Sequence, residues 1–412
     1  MEEELSRHYD HLQERDYNRS KAGLGSGGGS GGPGASTLAP DGAAVAQHYN
    51  SLHDRHRTLT GGSDILHLRN LNNWIKSVLI GRYLKRGHSV LDLACGKGGD
   101  MLKFKAGGCA AYVGIDIAGQ SVRDAVHRYN GANGRPGMNF PATFAVGDFC
   151  ASDLEQSLPP QLRFHLVSCQ FALHYSFSSE ASALQLLRNI ACRLEPGGVF
   201  VGTTTDANVL IRRLRAAPAL TFGNEHYSVT FDAAHASKRF PAAQPFGIRY
   251  RFSLQEAVED CEEFLVPFST LVGLAERCGL VLESRHNFTD LFAAEWRTNK
   301  QLLEKMRVLP EHGTIADAEW EVAHSYLAFA FRRLGPDGKP AQRPPPTVRN
   351  TGHRPCTEAG ILWLPGGDGA PAPPGGGAPS RKRGQPEPGL NEREERRPKV
   401  QSVHQEQDAL FD

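Results

Sequence analysis

The sequence predicts an α/β fold: a doubly wound sheet of seven strands, with helices between most of them and an insertion after strand five. Three observations lead there. The stretch Val90–Asp100, VLDLACGKGGD, runs an apolar segment into a turn carrying Gly96, Gly98 and Gly99. That is the pattern of a buried parallel strand entering a helix. A second apolar run, Ala110 to Ile115, ends in Asp116. Beyond it, runs of strand length alternate with stretches of helical periodicity as far as Phe331, with one interruption after the fifth strand, as a doubly wound sheet with an insertion requires.

The elements follow in order. Residues 1–43 are polar and contain a Gly/Ser run from Gly23 to Gly34. They cannot bury surface and are expected to form a disordered linker. SRHYDHLQERD near the start echoes AQHYNSLHDRH at 46–56, and no function is assigned to the echo. Order is expected from Ala44. Between Ile65 and Leu84, Leu71, Trp74, Ile75, Val78, Leu79 and Tyr83 share a wide helical face. Asn72, Asn73 and Lys76 interrupt it, and spacing alone reads the asparagines as a cap or turn as readily as a site. Met101, Leu102 and Phe104 give a short helix its buried side, and Gly107 and Gly108 end it. Ser121–Tyr129 reads as a helix, Phe140–Ala145 as the third strand and Phe164–Phe171 as the fourth. Ser178 and Ser179 cap a helix with Leu184, Leu187, Ala191 and Leu194 on one stripe, ended by Glu195-Pro196-Gly197-Gly198. Val199–Thr204 is the fifth strand.

The alternation then breaks over about residues 206–270, where Asn208–Arg215 reads as a helix and Tyr227–Phe231 and Gly247–Phe252 as strands. This insertion is large enough to form a lid. A helix at Phe268–Cys278 and strands at Leu280–His286 and Tyr326–Phe331 complete the sheet. Residues 335–412 are rich in Pro and Gly and are expected to be a disordered tail. Both tails are expected to be dispensable for chemistry. The clusters Arg381-Lys382-Arg383 and Arg393–Lys399 read as a nuclear import signal ahead of a weak RNA tether or a solvated charge run.

Strand, glycine turn, helix, strand and acid together make a nucleoside-binding unit. A carboxylate at the carboxyl end of the second strand, here Asp116, accepts from both ribose hydroxyls. The spacing departs from the dinucleotide pattern, because Gly96 and Gly98 are followed by Gly99, Asp100 and Met101. Asp100 also puts a carboxylate at the helix start, where a phosphate would sit. Both features disfavour NAD and favour a nucleoside without phosphates, such as S-adenosylmethionine. Asp148, after the third strand, suits the exocyclic amine of adenine, and a turn aspartate is equally common there. In the doubly wound order the carboxyl end of the fourth strand faces the ligand crevice, so His174 and Tyr175 would point at the site, although a lone histidine is more often structural.

The chain has 412 residues and a formal net charge of +1, so an RNA contact needs a local basic face. The eight cysteines are scattered, without CxxC or Cys/His metal spacing. They read as reduced, buried thiols of an intracellular protein, with no metal site. The start, MEEELSRHYD, is unlike a signal peptide, and no apolar run reaches the roughly 18 residues of a membrane span.

LRNLNNWIKSVLIG, VLDLACGKGGDMLKF, CQFALHYSFSSE, PGGVFVGTTTD, FGNEHYSV, EEFLVPF and EWEVAHSYLAFAF occur in this order. Together they resemble the eukaryotic mRNA cap guanine-N7 methyltransferase family, over about residues 44–334. NNWIKSVLI and HYSF make the resemblance specific; the glycine loop alone would not. It implies a Rossmann-like class I methyltransferase fold, S-adenosylmethionine as methyl donor and the capped 5′ end of pre-mRNA as substrate. It also implies a nuclear location, no membrane, and other capping enzymes or the transcribing polymerase as candidate partners. Lys76 would lie near the methionine carboxylate of the cofactor. Ala94 and Gly96 would line it, Asp116 hold its ribose, Asp148 reach its adenine, and Gln170 and Tyr175 border its methionine end. Asn72, Asn73, Lys97, Lys103, Arg128, His174, Glu263 and Tyr326 would meet the cap nucleotide.

No catalytic acid or base is implied. The guanine N7 lone pair carries no proton, so His174, Tyr175 and Glu263 would act by positioning. Tyr326 or Tyr175 would pack on the base, and Lys97, Lys103 and Arg128 would meet the triphosphate bridge. Ala94 stands where many members carry glycine, and its methyl would crowd the cofactor unless the backbone keeps a negative φ. Two other readings stay open on the residues: a small-molecule methyltransferase with the same cofactor site, and a catalytically silent RNA-binding scaffold.

Overall fold

A computed structural model describes residues 45–47, 63–131, 137–311, 313–339, 341–342 and 351–364. The N-terminal repeat echo, the Gly/Ser run and the basic clusters near 381 and 393 lie outside these residues, apart from Ala46 and Gln47.

One eight-stranded sheet organises the chain. Its strands are β1 (Ser89–Leu93), β2 (Ala111–Asp116), β3 (Ala142–Val146), β4 (Phe164–Gln170), β5 (Leu194–Thr205), β10 (Leu280–Asn287), β11 (Tyr326–Arg333) and β12 (Leu362–Trp363). The spatial order is β10-β11-β5-β4-β1-β2-β3-β12. Strands β1 to β5 run parallel, and β11 lies antiparallel between β5 and β10. The seven expected strands are all there. The chain reverses its winding between β1 and β4, so the carboxyl ends of these neighbours open a crevice.

The strands read as near-continuous apolar runs because both faces are covered. Along β1, Val90 joins one buried layer and Leu91 and Leu93 the other; along β4, Leu166 and Val167 divide the same way. The first layer holds Trp74 and Leu71 of α1 (Leu66–Tyr83). The helix runs unbroken through Asn72 and Asn73, so neither is a cap or a turn. Asn73 instead donates back to the Arg69 carbonyl at 3.0 Å. After β1 come α2 (Met101–Ala106) and, after β2, α3 (Gly119–Asn130). A single-turn α4 (Leu154–Ser157) precedes β4, and α5 (Glu180–Arg193) follows it, capped by Ser179. The helix stops at Arg193. Glu195–Gly198, expected as its terminator, instead forms the irregular start of β5, where the pairing with β4 shifts register.

The insertion is a second sheet. After α6 (Ala207–Ala216), the strands β6 (Thr221–Gly223), β7 (Tyr227–Phe231), β8 (Arg249–Leu254) and β9 (Val258–Phe264) form an antiparallel meander. Arg213 on α6 anchors it. Its guanidinium donates to the Tyr227 hydroxyl at 2.9 Å, the Glu321 carbonyl at 2.9 Å and Ser325 Oγ at 2.7 Å. The chain returns through α7 (Phe268–Arg277), α8 (Phe288–Glu295), α9 (Lys300–Lys305) and α10 (Asp317–Ala323).

The tail requires a correction. Within residues 335–412, expected to be disordered, residues 351–364 pack on the fold and add β12 beside β3. Ile361 and Leu364 are buried.

Candidate cofactor and cap site

A cavity of about 290 Å³ opens at the carboxyl ends of β1, β2, β3 and β4. Ala94, Gly96, Asp116, Asp148, Gln170 and Tyr175 line it, six of the seven residues expected at a cofactor. Asp116 closes β2 and its carboxylate is shared. One oxygen accepts the Gly96 N–H at 2.8 Å and the other the Ala118 N–H at 2.9 Å. Asp148 accepts from the Cys150 N–H at 2.7 Å. Burial raises both carboxyls above their ordinary range, against the pull of those N–H donors.

These acceptors fit a nucleoside without phosphates. Two carboxylates end adjacent parallel strands, and the turn beside them leaves room. Gly96 has φ +50°, and a Cβ there would meet nothing within 4 Å. Gly98 takes φ +70°, a backbone conformation that itself favours glycine.

Two backbone outliers sit on this cavity. Ala94 and Phe171 both take φ +55°, one at the end of β1 and the other at the end of its neighbour β4. Ala94 therefore does not keep the negative φ that would hold its methyl clear. Non-glycine residues in this region cost of order 1 kcal/mol or more and persist where the surroundings over-determine them.

Lys76 is the cofactor candidate that does not line the cavity. Its ammonium pairs with Asp100 at 2.8 Å and lies 5.9 Å from the centre of the Phe171 ring. Lys103 pairs with the same carboxylate at 2.7 Å and donates to Asn73 Oδ1 at 3.0 Å. Burial alone would raise Asp100, but Lys76 and Lys103 outweigh it and hold the carboxyl at about 2. The acid at the helix start is thus already matched by two cations of the chain. Asp92, beneath the turn, accepts from the Tyr112 hydroxyl at 3.0 Å. Burial, with Asp100 adding to it, pushes Asp92 up to about 8.

The residues expected at the cap fall into groups. His174 and Glu263 come together: Nε2 lies 3.5 Å from Oε1, and both side chains are buried. Glu263 sits on β9, so the insertion sheet delivers it, and its other oxygen accepts from the Tyr250 hydroxyl at 2.6 Å. Burial pushes His174 down to about 3 and Glu263 up to about 7, so the pair is not a fixed ion pair at neutral pH. His174 packs on Tyr175, with ring centres 4.3 Å apart. Tyr175 lines the cavity and its hydroxyl lies 3.2 Å from Cys261 Sγ on β9. The His174–Glu263 pair and the cavity therefore share one wall.

Asn73 and Lys103 form a second group on α1 and α2. Asn72 keeps a buried Oδ1 without a hydrogen-bond partner. Lys97 pairs with Asp124 at 3.3 Å. The Arg128 guanidinium reaches to 3.8 Å from where a Cβ on Gly99 would be, so both cations border the glycine turn. Tyr326 stands edge-on to Phe171 at 5.1 Å and lies 5.5 Å from Phe288. It is 5% exposed and backs the Phe171 wall. Sequence reasoning missed Phe171, Tyr250 and Asp100 as site components. Asp100 and Phe171 stand within quoted motifs, whereas Tyr250 is recognisable only once β8 and β9 pair.

The chain is similar to several known proteins. Residues 37–334 match the family model described as the mRNA (guanine-N(7))-methyltransferase domain. A rice (Oryza sativa subsp. japonica) mRNA cap guanine-N(7) methyltransferase 1 is 44% identical over 327 residues, spanning 77% of this chain and 88% of its own. Its Arabidopsis thaliana counterpart is 42% identical, over 71% of this chain and 81% of its own. A Drosophila melanogaster mRNA cap guanine-N(7) methyltransferase is 38% identical over 72% and 79%. Among solved structures, the CcbJ methyltransferase of Streptomyces caelestis aligns over 71% of this chain and 96% of its own, at TM-score 0.42 and 14% identity. With the family model matched across most of its length and these relatives covered over most of theirs, the chain belongs to the mRNA (guanine-N7) methyltransferase family.

Proposed function

We propose that Glu263, His174 and Tyr175 hold the cap guanine against a cofactor seated in the cavity lined by Asp116 and Asp148. As a member of its family, the chain transfers a methyl group from S-adenosylmethionine to N7 of the mRNA cap guanine. The cofactor, when bound, supplies a methyl group on a sulfonium. The chain's own residues have to bind, orient and exclude water. Asp116 takes the ribose hydroxyls, with the Gly96 and Ala118 N–H groups fixing its oxygens. Asp148 takes the adenine amine, and Gln170 and Tyr175 border the reacting end. Lys76, paired with Asp100 beside Phe171, would meet the methionine carboxylate.

N7 loses no proton, so positioning supplies most of the acceleration. His174, held neutral by burial, offers hydrogen bonds without adding a repelling charge. Glu263, once ionised, accepts from the guanine N1–H and amino group, an edge that adenine lacks. Its charge also opposes the positive charge that builds on the base as the methyl arrives. Lys97, Lys103 and Arg128 meet the triphosphate bridge and give local attraction at near-zero net charge, and Asn72 and Asn73 on α1 meet the cap nucleotide. Tyr326 supports the wall through Phe171. The reading extends to nuclear action on nascent pre-mRNA, beside other capping enzymes or the transcribing polymerase.

The observation that carries this reading is the shared wall, where Glu263 meets His174 and His174 packs on the cavity-lining Tyr175. The test is Glu263→Gln. Glutamine keeps one acceptor and turns its amide nitrogen towards a donor. Turnover over Michaelis constant for GpppA-capped RNA should fall by about 2–4 kcal/mol, roughly 30- to 1000-fold. S-adenosylhomocysteine should bind as before. Wild-type turnover would remove Glu263 from the base, and a parallel loss of cofactor affinity would assign it to the cavity.

A further inference from the structure

The family match ends at residue 334, yet the chain returns to the sheet at 351–364. Without β12, β3 would be an open edge, with unpaired backbone groups along its length. Leu362 pairs with Ala145 and Trp363 with Val146, in parallel register. The Leu364 N–H then donates to the Val146 carbonyl at 2.8 Å. The side chains alternate: Ile361 and Trp363 join the layer of Tyr129 and Phe144, and Leu364 joins that of Phe149 and Leu154.

Leu364 also accounts for a glycine. Gly147 is not among the residues with positive φ, so its backbone does not call for glycine. What glycine provides is space: a Cβ there would lie 2.5 Å from Leu364 Cβ. The Gly147 N–H donates to the Asp116 carbonyl at 2.9 Å. The two residues that follow, Asp148 and Phe149, line the cavity. The turn bearing them is therefore held to β2 on one side and to residues 361–364 on the other.

The upstream half of the segment clasps the far end of α3. The Asn130 side chain donates to the Cys356 carbonyl at 2.7 Å and accepts the Cys356 N–H at 2.9 Å. The His353 ring stacks on Tyr129 with centres 4.8 Å apart. The near end of α3 carries Ser121, which also lines the cavity. One segment thus joins the two elements that bound the wall beside Asp148.

We propose that residues 351–364 are a brace for the cofactor site, and that Leu364 positions the Gly147–Phe149 turn so that cofactor affinity, and not cap affinity, depends on it. The inference rests on reading Asp148 as part of the cofactor wall. The physical reason is preorganisation: a turn pinned before the ligand arrives loses less freedom on binding. It also revises the expectation that the C-terminal tail is dispensable for chemistry.

The test uses the full chain. S-adenosylhomocysteine is titrated calorimetrically against wild type, Leu364→Asp, Leu364→Ala and Asp148→Ala, and Michaelis constants are measured for S-adenosylmethionine and GpppA-capped RNA. Leu364→Asp, which puts a carboxylate into the apolar contact, should weaken S-adenosylhomocysteine about tenfold, with the Michaelis constant for capped RNA unchanged. Leu364→Ala keeps Cβ and should give about a threefold loss; it carries the same test if the charged variant does not fold. Wild-type affinity in the Leu364 variants beside a weakened Asp148→Ala overturns the brace. So does an equal loss for cofactor and cap, which would mark general destabilisation. Undiminished affinity in Asp148→Ala would remove that residue from the cofactor wall, and the brace would fall with it.

Discussion

Ala94 sits at φ +55° on the cavity wall, a conformation that costs an L-residue about 1–2 kcal/mol, while glycine's greater freedom in the unfolded chain costs roughly 0.5–1 kcal/mol. Ala94→Gly is therefore expected to raise stability by about 0.5 kcal/mol, where an ordinary Ala→Gly change lowers it. Urea denaturation measures this, and a loss of stability would contradict the strain. Glu263 carries the second residue-scale expectation. Burial pushes its carboxyl up to about 7, against the pull of the Tyr250 hydroxyl. The base-reading form is the carboxylate, so turnover over Michaelis constant should rise with pH through about 7. Tyr250→Phe removes the hydrogen bond that favours the charged form, so the inflection should move upward. Glu263→Gln should abolish it. A profile in Tyr250→Phe that superimposes on wild type would separate Glu263 from the observed titration. Asp116 and Asp148 are legible in the sequence because each ends an apolar run at a fixed place in the winding. Tyr250 is not legible, because its partner Glu263 lies across a register that only the folded meander defines.

At the scale of elements, the turn from β1 into α2 depends on charge as well as glycine. Asp100 is held at about 2, below its ordinary 3.8, because Lys76 and Lys103 outweigh its burial. A depressed carboxylate contributes stability above its unfolded value, and the contribution disappears as pH falls through the folded one. Asp100 should accordingly supply about 2 kcal/mol at neutral pH, lost between about pH 4 and pH 2. Urea midpoints of wild type and Asp100→Asn should differ at pH 7 and converge near pH 2; a constant difference would mean packing alone. Long periodic elements such as α1 were readable from their apolar faces. The strand β12 was not. Two residues have no period, and their surroundings in sequence are rich in Pro and Gly. Their place is set by the β3 edge and by the room at Gly147. The start of β5 was misread for a related reason: Pro196, Gly197 and Gly198 signal a helix end, and tertiary pairing with β4 draws the same residues into a strand.

Across the whole molecule, two sheets divide the work. The mostly parallel sheet builds the cavity at its switch point, and the inserted antiparallel sheet brings Glu263 and Cys261 onto His174 and Tyr175. Arg213, buried between the insertion and the chain around Glu321 and Ser325, fixes one sheet against the other. The doubly wound order and the insertion were legible from the alternation of runs and its interruption. The contact between the sheets was not, because no local pattern encodes which inserted strand crosses the turn after β4. The account as a whole requires that the methyl go to one atom of one base. The direct measurement is transfer of labelled methyl from S-adenosylmethionine to GpppA-capped RNA, followed by nuclease digestion and identification of the methylated nucleoside. Label recovered as N7-methylguanosine, greatly reduced in Glu263→Gln, is the expected result. Label on a ribose hydroxyl or on adenine, or undiminished N7 label in Glu263→Gln, would contradict the account.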